Sequence, residues 1–116
     1  MSRHNILVKV YGNLYPASQK LFCALQEACR AGCIQENNDV PVISLNGDLL
    51  CVSYEGVFFP LDNVLEVLVP LLQPDMQGKI DYIDLEAWTL TRHSVEGTRL
   101  HVSAVPLNNV MDYAGL

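Results

Sequence analysis

Four groups of side chains could do chemistry, and their spacing decides how much each can do. Cys23, Cys29 and Cys33 follow the pattern C-x5-C-x3-C. Cys29 and Cys33 can share one helix face and offer two thiolates to a soft metal. Zinc asks for four ligands and usually for closer cysteine pairs, and no iron–sulfur spacing matches. A free cysteine also packs well as a small hydrophobe, and that reading suits these residues better.

Asp75, Asp81, Asp84 and Glu86 form the second group. Carboxylates at such intervals can take Mg²⁺ or Ca²⁺, with Asp81, Asp84 and Glu86 as ligands. The glycine and distal glutamate of a calcium loop are missing, so turn capping and solvation are the simpler roles.

The third group is polar and sits near the C-terminus: Thr89, Thr91, His93, Arg99, His101 and Ser103. An imidazole beside a hydroxyl can activate it. A nucleophile also needs an orienting acid and an oxyanion hole, and neither is visible, so no catalytic residue is assigned. Thr91, His93, Arg99 and His101 are read instead as a partner-binding surface. Two histidines there would make binding sensitive to pH between about 5 and 8.

Aromatic residues make the fourth group: Tyr54, Phe58, Phe59 and Trp88. Adjacent side chains on a regular strand point to opposite faces, so Phe58 and Phe59 cannot both enter the core from one. One of them is a candidate interface anchor, since aromatics dominate binding hot spots.

The elements that must position these groups follow from hydrophobic periodicity. Ile6–Tyr11 reads as a strand ended by Gly12 and Asn13. Pro16 opens a helix whose stripe is Leu21, Phe22, Leu25, Ala28 and Cys29, and Gly32 closes it. Asn46-Gly47 between apolar runs predicts a hairpin of Pro41–Leu45 with Asp48–Tyr54, with Ile43 opposite Leu50 and both faces covered. A second helix follows Pro60, with Asn63 and Glu66 as a capping pair. Its stripe is Val64, Leu65, Leu68, Leu71 and Leu72, and Pro70 kinks or shortens it. Asp75–Tyr82 reads as a short helical turn, with a strand from about Leu85. The last hairpin turns at Val95-Glu96-Gly97, with Ser94 opposite Thr98 and with His93, Arg99 and His101 on one polar face. Leu107–Tyr113 reads as a final helix.

These elements predict an α+β fold in the order β-α-β-β-α-β-β-α. The 116 residues form a single domain, 1–116, a mostly antiparallel sheet with helices packed on one face.

Composition narrows the function. Half the residues are hydrophobic and only 17% are charged, which predicts a surface partly hidden in a homo-oligomer, most simply a homodimer. The net charge is −6 and the seven basic residues are scattered. That excludes nucleic acid and anionic membranes as partners and leaves a basic peptide or protein open. No segment has the length of an export signal core or a bilayer span, so a cytoplasmic location with reduced cysteines is expected. Together these point to a non-enzymatic interaction module without cofactor. The alternative is a small-molecule or metal-binding domain using Cys29 and Cys33, or Asp81, Asp84 and Glu86.

Overall fold

The computed structural model describes residues 6–30 and 41–107. The elements are β1 (Val8–Tyr15), α1 (Gln19–Arg30), β2 (Ile43–Asn46), β3 (Leu49–Gly56), α2 (Leu61–Leu68), β4 (Gln77–Asp84), β5 (Thr89–Glu96) and β6 (Arg99–Pro106). The strands make one antiparallel sheet in the order β2-β3-β1-β4-β5-β6. The fold is the expected α+β architecture, and the described strands and α-helices run β-α-β-β-α-β-β-β. Gly32, Cys33, the loop at 35–39 and the final helix beyond Leu107 fall outside the described residues. No helix among the described residues is long and apolar enough to cross a membrane.

Alternation along the strands builds the core. Val8, Val10 and Leu14 of β1, Leu50, Val52 and Tyr54 of β3, and Ile80 of β4 are buried on one face. Leu21, Leu25 and Cys29 of α1 and Val64 and Leu68 of α2 belong to the same cluster. Each large side chain so buried contributes roughly 1.5–3 kcal/mol relative to its exposed state. The helices cover β3, β1 and β4, whereas the opposite sheet face is open. The first hairpin is therefore covered on one side only, with Leu49 exposed and Cys51 and Ser53 half-buried.

Several boundaries differ from expectation for identifiable reasons. β1 continues through Gly12 and Asn13 to Tyr15, pairing with β3 and β4 on its two sides. Pro16 follows a cis Tyr15–Pro16 bond and precedes the helix rather than opening it. The cap of α1 is Ser18, whose Oγ accepts the Leu21 N–H at 3.1 Å. At α2 no side chain caps; Asn63 lies inside the helix, and the Pro60 carbonyl accepts the Val64 N–H at 3.1 Å. Pro70 cannot donate to the turn before it, and the α-helix gives way to a 3-10 turn at Val69–Leu71.

The stretch expected to form a short helical turn is the central strand β4. Its buried Ile80 and half-buried Tyr82 alternate with Lys79, Asp81 and Ile83, and both neighbouring strands use its backbone. The apolar phase change that follows is a turn, Leu85–Trp88, not the start of a strand. Asp84 Oδ1 fixes it by accepting the Glu86 and Ala87 N–H groups, both at 3.0 Å.

Candidate functional site

Two hairpin turns set which side chains share a face. In the first, Gly47 has φ +64° and the turn residues are Gly47-Asp48. Ile43 lies opposite Val52 instead of Leu50, a slip of two residues that leaves every side chain on its expected face. In the second, Gly97 has φ +64° and the turn is Gly97-Thr98. Ser94, expected opposite Thr98, lies opposite His101. That slip is odd, and it exchanges the faces of one strand against the other.

The expected polar face therefore does not form. Thr91 and His93 point to the helix side, opposite Ala104 and Val102. His93 is buried, its Nδ1 3.3 Å from the Ile80 carbonyl oxygen, which accepts a proton held on that nitrogen. Arg99 and His101 stand exposed on the open face, where His101 Nε2 lies 3.4 Å from Glu96 Oε1. That face also carries Arg92, which donates from Nε and Nη2 to Asp81 at 2.7 and 2.9 Å. Tyr11 donates its hydroxyl to Glu55, and Lys9 lies 3.9 Å from the same carboxylate. Apart from Arg99, the charged groups of this face are matched by one another.

The expected metal candidates are not brought together. Cys29 is in the core at 4% exposure, and Cys33 is outside the described residues. Asp81 and Asp84 point to opposite faces, Asp81 engaged by Arg92 and Asp84 by turn amides, while Glu86 is exposed in the turn. Among the described residues no three His, Cys, Asp or Glu side chains are placed to hold a metal ion.

Two surfaces stand out among the described residues. The first is a cleft of about 470 Å³ lined by Phe58, Phe59, Pro60, Asp62, Asn63 and Tyr82. Phe59 is 2% exposed and its ring lies 5.5 Å from that of Tyr54, whereas Phe58 is 54% exposed at the cleft rim. The Phe58 N–H donates to the Tyr54 hydroxyl at 3.2 Å, which holds the loop so that the two rings diverge. Burial, and then the negative charges of Asp84 and Asp62, raise the Tyr82 pKa above its ordinary value. None of the lining residues is basic.

The second surface is the outer edge of β6, which no strand of the described residues pairs with. This strand runs eight residues without a bulge, and from His101 to Pro106 every residue is exposed. Val102 is 61% and Val105 40% exposed. The other edge strand, β2, has four residues and contacts α1. Natural edges are blunted by shortness, bulges, proline or charge. β2 is short; β6 is not, and its central residues carry none of these devices.

Val102, Val105 and Tyr82 were not singled out from sequence. The signal that could have found the first two is Gly97-Thr98, since glycine at the first position of a two-residue loop marks a type II′ turn. Comparison with known proteins found no matching family model, no matching curated relative and no matching solved structure.

Proposed function

We propose that this protein is a non-enzymatic interaction module that works as a homo-oligomer in a reducing, cytoplasmic setting. The observation that carries the reading is the β6 edge: a long, regular template of backbone donors and acceptors with exposed valines and no charged side chain from Val102 to Val105. Lack of convergence among imidazole, thiol and carboxylate groups of the described residues supports a binding role over a catalytic one, and the thiols of Cys23 and Cys51 suit a reducing compartment. Sedimentation equilibrium across a wide concentration range tests it. A mass above the monomer is expected, and a monomer mass at every concentration would reject it.

A second reading is favoured by the Phe58 cleft. Its aromatic rim and the Asp62 carboxylate face solvent with no basic residue among the lining groups. Lys9, Lys79, Arg92 and Arg99 are on the opposite sheet face, and Lys20 and Arg30 are on α1. Such a cleft suits a peptide segment carrying Lys or Arg, held by charge and by the aromatic faces. Titration with arginine-containing and glutamate-containing peptides of equal length should show binding of the first alone, lost in Phe58→Ala. Equal binding of both peptides would reject the reading.

A further inference from the structure

We infer that β6 pairs antiparallel with β6 of a second copy, about a twofold axis that passes between the two Val102 residues. This deepens the homo-oligomer reading and rests on it, since it names the strand and the register.

The register follows from the hairpin. A two-residue turn makes Glu96 and Arg99 a hydrogen-bonded pair, and hydrogen-bonded and non-bonded pairs then alternate up the ladder. Arg99, His101, Ser103 and Val105 direct their backbone groups to β5. The Leu107 N–H bond to the Trp88 carbonyl, 2.9 Å, keeps this parity. Leu100, Val102 and Ala104 therefore direct N–H and C=O away from the sheet, into the free edge. Pro106 occupies the next outward position and has no N–H.

Only one antiparallel register uses all three outward residues. It sets Leu100 against Ala104 and Val102 against Val102, giving about six bonds, two from each outward-facing pair. Sliding two residues toward the turn leaves Ala104 without a strand partner. Sliding two residues the other way sets Leu100 against Pro106, which cannot donate. Any one-residue slide opposes outward groups to inward ones.

Side chains agree with this register. On the helix side, Leu100 meets Ala104 and Val102 meets Val102, all apolar. On the open side, Arg99 meets Val105 and His101 meets Ser103, so no like charges are directly opposed. β6 contains no acidic residue, although the chain is net acidic. The twofold axis is normal to the sheet, so both sets of helices lie on one side of a continuous sheet. Among the described residues, pairing consumes the long edge of each copy and leaves the short β2 edges, so assembly closes at two.

Cysteine placement and backbone substitution test the register. Under mild oxidation Val102→Cys is expected to give a covalent dimer, because the paired Cα atoms fall within disulfide reach. Leu100→Cys and Ala104→Cys should each stay unlinked alone and cross-link when mixed, with the parent chain as control for Cys23 and Cys51. Val102→Pro removes an outward N–H while sparing the β5–β6 ladder, so the mass should fall to that of the monomer with the circular dichroism of the fold retained. A dimer that forms no Val102→Cys bridge and survives Val102→Pro would overturn this register while leaving self-association standing. A parent chain that is monomeric at every concentration would overturn both.

Discussion

Arg92 on β5 reaches its direct cross-strand neighbour Asp81 on β4 with two parallel hydrogen bonds, 2.7 and 2.9 Å long. Asp81 is 9% exposed, and Lys79, 3.9 Å away, is its second cation. Arg92 is the better donor because its planar fork matches both carboxylate oxygens. The hydrogen bond to Asp81 raises the Arg92 pKa, against a smaller lowering by burial. Arg92→Ala leaves a largely buried carboxylate with only a distant ammonium. The expected loss is about 1–2 kcal/mol, moderated because the Arg92 side chain is itself 43% exposed. Arg92→Lys should recover only part of it. Urea denaturation of both variants checks the order, and equal stability of Arg92→Ala and the parent would contradict it.

Phe58 and Phe59 should separate cleanly in a mutational comparison. Phe59→Ala removes a ring packed on Tyr54 and is expected to cost about 3–5 kcal/mol. Phe58→Ala exchanges a ring already half in water and should cost under about 1 kcal/mol. Thermal melts give the comparison. Equal losses would mean that Phe58 packs in solution as Phe59 does.

The same pair marks how far sequence reasoning reached. Period-two logic required that two adjacent aromatics diverge, and they do, but it could not say which ring would be buried; the Tyr54 hydroxyl decides that through a contact four residues away. The helix stripes were legible because Leu21, Leu25, Val64 and Leu68 recur at a spacing only a helix satisfies. β4 was not, because Met76, Ile80 and Ile83 fit a helical period by accident, while the strand pattern rests on the single buried Ile80 and half-buried Tyr82. The last hairpin failed by choice of turn. Val95-Glu96-Gly97 and Gly97-Thr98 both put glycine at a left-handed position, and they differ by an odd register. That ambiguity alone moved His93 from a supposed binding face into the interior and hid the exposed row of β6.

Gly12 is a strand residue whose lack of a side chain reads as a stop but serves close packing. A Cβ built there would sit 2.8 Å from Ile80 Cα and closer still to the Lys79 carbonyl oxygen, both backbone atoms of β4. Neither can step aside without parting the two central strands. Gly12→Ala is expected to destabilise by about 1–3 kcal/mol, in the range of overpacked cores. Asn13→Ala, one residue on and exposed, should be near neutral. Denaturant midpoints of the two variants test this, and a neutral Gly12→Ala would show that β1 and β4 are not so closely apposed.

Tyr11 predicts how the fold responds to alkali. Its pKa is raised from 10.0 to about 12, first by burial, then by its hydrogen bond to Glu55, and then by the negative charge of Glu55. Below pH 10 the hydroxyl keeps its proton in both states and the full contribution to stability is present. Between about 10 and 12 the unfolded chain has released that proton while the folded chain has not. Deprotonation then favours the unfolded state, and stability falls as pH rises through the window. Tyr82 is shifted in the same direction and steepens the fall. Tyr11→Phe removes the titration together with the Glu55 hydrogen bond, so it should start less stable at neutral pH and lose less on going to alkali. Following the ultraviolet absorbance of tyrosinate, the parent should retain a late-titrating component that Tyr11→Phe lacks. Parallel stability curves for the two proteins across the window would show that Tyr11 titrates as it does in the unfolded chain.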